Sequence, residues 1–205
     1  MYILLRRYRS KYIPVLLTLL LTACTTTEKK IEDSSLPRDI EIKEEFGVDD
    51  EVNSKFEQAV DLIREEQYKE AIVLLEEVTQ KTSKHSAPYV NLGIAYLKLG
   101  KAEESEKNLQ MALKINPDHP VTNNELGMVY RKTGRFNEAK KVYEHVIKKY
   151  PYFLPARKNI GILCDLFMKD LNCAIKHYDA YLKIKKDDKN VKLWLKDLQR
   201  RAGVK

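Results

Sequence analysis

Gly93, Gly127 and Gly161 of this 205-residue chain lie thirty-four residues apart, and their neighbours keep the same step. Leu92, Leu126 and Ile160 precede them, Tyr96 and Tyr130 follow, and so do Gly100 with Gly134 and Pro117 with Pro151. Ala71, Ser105 and Ala139 continue the series, as do Leu75, Leu109 and Tyr143. A period of this length marks a stacked-repeat architecture and overrides any local propensity. Each unit reads as an apolar helix A, a glycine turn (K-L-G-K, K-T-G-R), an apolar helix B, and a proline that stops helix B. Small residues at Ala59, Gly93, Gly127 and Gly161 let helix A approach its neighbour, and Tyr96, Tyr130, Leu109 and Tyr143 fill the remaining volume. One hairpin cannot bury its apolar face alone, so neighbours must stack.

The stretches L-G-I-A-Y-L-K-L-G and L-G-M-V-Y-R-K-T-G, with S…L…A-L…N-P-D and A…Y…Y-P after them, resemble the tetratricopeptide repeat. The resemblance implies an all-α fold, a right-handed superhelical solenoid of helical hairpins. Four units are read within 51–188, at about 52–85, 86–119, 120–153 and 154–188. The first departs from the pattern at Gln58 and Ser83. The fourth brings Ala174 and Tyr178 into register only if one residue is inserted in the turn L-F-M-K-D-L-N. Val191, Trp194, Leu195 and Leu198 then form one apolar stripe, which predicts a C-terminal capping helix within 189–205.

At the amino terminus, Arg6, Arg7, Arg9 and Lys11 precede an apolar run from Tyr12 to Leu21, too short for the roughly 20 residues a spanning helix needs. The run ends in Leu21-Thr22-Ala23-Cys24, which resembles the lipobox of bacterial lipoproteins. That resemblance implies a signal peptide over 1–23, cleavage before Cys24, and acylation of the cysteine thiol and of the new amino terminus. The alternatives are an ordinary signal sequence with a chance cysteine or an uncleaved anchor helix. Acyl chains worth about 0.8 kcal/mol per buried CH2 would hold the protein on a membrane. Thr25 stands where an aspartate would resemble an inner-membrane retention signal, so in a Gram-negative cell the expected location is the periplasmic face of the outer membrane.

Loss of 1–23 leaves thirty-three basic against thirty acidic residues, so the formal +7 becomes +3. A pI near 9.1 would ordinarily point to nucleic acid, but export removes that partner. Residues 28–51 carry ten acidic and four basic side chains, whereas 140–205 carry seven acidic and seventeen basic. The polar, charged 24–50 segment, with T-T-T and S-S-L-P, reads as a flexible acidic tether, with Phe46 and Val48 able to begin the fold.

The search for chemistry returns little. Cys164 replaces the Tyr96 and Tyr130 position and Cys173 lies at or beside the Ala139 position, facing it across the hairpin. In an oxidising compartment the pair is expected as a disulfide, with two buried thiols as the alternative. His85, His119, His145 and His177 do not cluster, so no metal is assigned, and no G-x-S-x-G or phosphate loop is present. The sequence therefore implies no enzyme, no cofactor, no small-molecule substrate and no nucleic acid.

What remains is a surface. In tetratricopeptide domains the concave groove is lined chiefly by the second, fifth, ninth, twelfth and thirteenth positions of each unit. These are Asn53, Phe56, Val60, Ile63 and Arg64 in the first repeat, and Ala87, Val90, Ile94, Leu97 and Lys98 in the second. The third gives Val121, Asn124, Met128, Arg131 and Lys132, and the fourth Pro155, Lys158, Ile162, Asp165 and Leu166. The expected groove has an apolar floor of Val90, Ile94, Met128 and Ile162, with Lys98, Arg131, Lys132 and Lys158 around Asn124. It suits an amphipathic acidic peptide. Ile94, Met128 and Ile162 stand where the carboxylate-clamp subclass carries asparagine. A lipobox joined to such repeats resembles envelope adaptors, among them the pilotins of type IV pilus secretins, lipoproteins of outer-membrane protein assembly, and adaptors of peptidoglycan hydrolases. The expected partners are envelope proteins or peptides, with the membrane engaged through the lipid.

Overall fold

A computed structural model describes residues 49–204; Cys24, the expected signal peptide over 1–23 and most of the expected tether over 24–50 lie outside the described residues. Four hairpins follow one another: α1 (Asp50–Arg64) with α2 (Tyr68–Lys81), α3 (Ser86–Lys98) with α4 (Ala102–Ile115), α5 (Pro120–Lys132) with α6 (Phe136–Lys149), and α7 (Leu154–Ile162) with α8 (Leu171–Ile184). A final helix, α9 (Lys189–Arg201), caps the last hairpin. The described residues are all helix and turn, a tetratricopeptide solenoid. No helix among them is long and apolar enough to cross a membrane.

The thirty-four-residue step has a physical cause at the helix A to helix B contact. A Cβ on Gly93 would stand 2.5 Å from Leu109 Cγ, and one on Gly127 would stand 2.5 Å from Tyr143 Cε1. Gly161 meets Tyr178 in the same way. The large partner lies on the missing Cβ, so both members of each pair must recur together. Ser105 adds a buried tie, its hydroxyl donating to the Gly93 carbonyl at 2.6 Å.

The turns inside the hairpins show where the period breaks. The left-handed residue is Glu66, Gly100, Gly134 and then Lys169, steps of thirty-four, thirty-four and thirty-five. After each of the first three, the next backbone N–H donates to the carbonyl five residues back: Gln67 to Leu62, Lys101 to Tyr96, and Arg135 to Tyr130, at 2.8–2.9 Å. This is a Schellman closure. At the fourth, Asp170 donates to Cys164, six residues back, at 2.9 Å. The inserted residue is absorbed by widening the end of α7 into a π-helical segment, Leu163–Met168, rather than by lengthening the loop. Asp170 then caps α8 by accepting from the Cys173 N–H at 3.0 Å. Cys164 and Cys173 are joined by a disulfide, with Cα atoms 5.8 Å apart, which staples the π segment to α8.

The core runs along the stack in two buried clusters that share α3. Leu92 and Ala95 face the first hairpin, and Val90 and Leu97 face the later ones. At the far end Val191 and Leu198 of α9 are fully buried, and the Trp194 ring lies 5.8 Å from that of Tyr178.

Candidate functional site

The last turns of the helix A series converge on a groove of about 620 Å³. Helix α3 contributes Leu97 and Lys98, α5 contributes Met128, Arg131 and Lys132, and α7 contributes Ile162. The π segment supplies Leu166 and Phe167 as the remaining wall, both exposed. In a regular repeat the chain at this point turns away with a glycine. The extra residue instead delays that turn by one position and widens the helix end into the π segment, on which two large apolar side chains stand uncovered.

The polar groups at the rim are held in place. Lys132 Nζ donates to the Leu97 carbonyl at 3.1 Å, tying the ends of α5 and α3 together. The Arg131 guanidinium lies 5.8 Å from the centre of the Phe167 ring, a cation–π arrangement. Phe167 in turn lies 5.2 Å from Phe136, at the start of α6. Three cations therefore surround an apolar floor, and among the described residues no acidic side chain lines the groove.

Behind this wall α5 buries a carboxyl. Glu125 accepts from Asn124 Nδ2 at 3.2 Å, and Asn124 Oδ1 accepts from Asn159 Nδ2 of α7 at 2.9 Å. Burial pushes the Glu125 carboxyl up to about 7, against the Asn124 hydrogen bond and the pull of Lys98 and Arg131. The buried Tyr143 hydroxyl has no hydrogen-bond partner among the described residues.

The expected groove residues divide. Lys98, Met128, Arg131, Lys132 and Ile162 meet in one place. Ile94 is half-buried against the core one turn earlier. Three positions are corrected. Val90 is fully buried and presents nothing to a partner. Asn124 is buried too, turned toward Asn159 rather than ringed by cations. Lys158 points to the cap, with its Nζ 3.0 Å from Asp188 and lying over the Tyr181 and Trp194 rings. Phe167 and Glu125 were not singled out from sequence. The extra residue in L-F-M-K-D-L-N was the available signal for Phe167.

The histidines do separate things. His119 Nδ1 accepts from the Thr122 N–H at 3.3 Å and caps α5, while His145 lies 3.2 Å from Asp118. His177 is buried with Nδ1 unpartnered, and burial, with Lys176, Arg157 and Lys140 nearby, pushes it down to about 4. No group of three His, Cys, Asp or Glu side chains is placed to hold a metal among the described residues. The groove has the chemistry of non-covalent recognition: apolar contact with cationic selection.

A family profile described as "Psidin, N-terminal TPR repeats region" matches residues 55–188. None of the curated proteins matches the sequence. Among solved structures, MamA from residue 41 to its end, from Desulfovibrio magneticus RS-1, is 20% identical, with 76% of this chain and 87% of that one covered and a TM-score of 0.66. Pseudomonas aeruginosa pilF is 16% identical over 74% of this chain and 68% of that one, with a TM-score of 0.68. A thermophilic TPR protein of Thermus thermophilus is 18% identical over 72% and 80%, with a TM-score of 0.64. At these identities the likeness is one of fold.

Proposed function

We propose, for a chain that belongs to the Psidin N-terminal tetratricopeptide-repeat family, a role as a lipid-anchored scaffold that gathers proteins of a bacterial cell-envelope complex. The fold is that of a protein-interaction scaffold. The observation that carries the reading is the groove at Met128 and Arg131, an apolar cleft rimmed by three cations and sized for a helix or extended peptide. Its occupant is an acidic amphipathic segment of an envelope protein. The lipobox, Leu21 to Cys24, supports the membrane half. A pilotin-like role in secretin biogenesis is the narrower version, and it predicts a secretin subunit as the captured partner.

Two measurements test the two halves. In-cell cross-linking followed by mass spectrometry identifies the partner. Purified Arg131→Glu and Met128→Asp are then each expected to weaken its binding by roughly 2 kcal/mol or more, about thirtyfold, as hot-spot losses do. Arg131→Glu inverts the field seen by an acidic ligand and releases Phe167; Met128→Asp places a charge on the floor. Lys148→Glu on α6 is the control and should bind normally. Normal binding by both groove variants and failure of the control would move the interface elsewhere. For the anchor, the mature N-terminal peptide is expected to carry acylated Cys24, and Cys24→Ala to abolish both acylation and cleavage there. An unmodified, uncleaved Cys24 in the native host refutes the lipoprotein assignment.

A further inference from the structure

Helix α9 carries a second charged surface. Lys189, Lys192, Lys196 and Arg200 follow one another at spacings of three, four and four, which places them along one helix face. Leu193 stands among them and is 66% exposed, the highest value of any large apolar side chain described. The opposite face is committed to the core through Val191 and Leu198. Arg200 is paired with Asp197 at 2.7 Å, whereas Lys189, Lys192 and Lys196 have no acidic partner among the described residues. Three uncompensated like charges along one face repel one another, and a leucine held out between them gains nothing in water. Both features become favourable against a surface that is negative outside and apolar just beneath.

We propose that the outer face of α9 docks on an anionic lipid surface, with Lys189, Lys192 and Lys196 at the phosphates and Leu193 entering the headgroup boundary. The chemistry of the face separates a lipid sheet from a protein partner. Protein interfaces are depleted in lysine and built on aromatic and arginine anchors seated in pockets. This face is a flat row of flexible ammonium groups, which act as point charges and need no fixed geometry from the partner. The inference extends the membrane reading without depending on Cys24, since the cations and Leu193 all lie on the last helix.

Trp194, the only tryptophan of the chain, sits beside Leu193 and reports on this face. Full-length protein carrying Cys24→Ser is mixed with vesicles of phosphatidylcholine alone, or of phosphatidylcholine with phosphatidylglycerol, the acyl chains brominated to quench a nearby indole. Quenching is expected on the anionic vesicles, absent on the neutral ones, and reversed by high salt. Each lysine is worth about a factor of five near such a surface, so Lys189→Gln with Lys192→Gln and Lys196→Gln should weaken vesicle binding on the order of a hundredfold. Leu193→Ser should weaken it severalfold. Any leader contribution is common to all variants. No quenching, equal quenching on neutral vesicles, or wild-type affinity in the triple variant overturns the proposal, as does loss of quenching in favour of a soluble polyanion. Unacylated Cys24 in the native host with quenching retained would remove the lipoprotein assignment and leave this contact standing.

Discussion

Replacing Gly127 by valine is expected to lower stability by roughly 3 kcal/mol or more, at the upper end of what overpacking costs. A Cβ at this position would lie 2.5 Å from Cε1, 2.7 Å from Cζ and 2.9 Å from Cδ1 of Tyr143, all atoms of one rigid ring. Tyr143 is fully buried and cannot swing aside. Valine adds two further methyls to that collision, so α5 must move off α6 and loosen Val129 and Val146, which are buried nearby. Gly134→Ala makes the contrast. Nothing lies within 4 Å of its added Cβ, but its φ of +79° is the left-handed region, so the cost is about 1 kcal/mol of backbone strain. Urea denaturation followed by circular dichroism measures both. A double-mutant cycle with Tyr143→Ala should show Gly127→Val costing much less once the ring is gone. A Gly127→Val protein within 1 kcal/mol of wild type would mean that the close approach is not there.

The same glycine contacts explain why so much of this fold was legible from sequence. Positions that touch across a hairpin must change together, so a repeat stamps its packing onto the chain as a period. Leu109 and Tyr143 could be placed by counting alone, Tyr178 once the single inserted residue is allowed for, and the all-α solenoid followed from stacking. The groove was only partly legible, because position along a helix does not settle which neighbour claims a side chain. Asn124 occupies a groove position by number, yet Asn159 of the next repeat turns it inward. Lys158 does too, but Asp188, fixed as the cap of α9 by the Val191 N–H at 3.0 Å, attracts it away. The inserted residue was detectable as a slip between Gly161 and Tyr178, in the turn L-F-M-K-D-L-N, while its absorption into a π-helical turn depends on contacts with α6 and α8 that no local pattern records. Glu125 was invisible for the same reason. A glutamate on a helix is ordinarily solvated, and this one is buried inside the stack, hydrogen-bonded to Asn124.

That burial sets up the second large effect, which is read against pH. The Glu125 carboxyl moves from 4.5 up to about 7 on folding, so the unfolded chain releases its proton first as pH rises. Its contribution is therefore complete below pH 4.5 and is lost between about 4.5 and 7, a decline of roughly 3 kcal/mol at 1.36 kcal/mol per unit. His177 runs the other way. Its ring, pushed from 6.5 down to about 4, is neutral in the fold, so its contribution is complete above 6.5 and lost as pH falls toward 4. The two slopes oppose each other between pH 4.5 and 6.5 and flatten the wild-type curve there. Glu125→Gln removes one slope: the variant should gain about 3 kcal/mol on wild type between pH 4.5 and pH 8, leaving a curve that rises with pH through the His177 window. Denaturant midpoints across that range measure it, and parallel curves for the two proteins would show that Glu125 does not titrate. The consequence reaches the groove. Lys98 and Arg131 act on Glu125 through charge, so its ionisation above pH 7 cancels part of the field they present. An acidic peptide should then bind wild type more weakly at pH 8 than at pH 6, and Glu125→Gln should bind it equally at both.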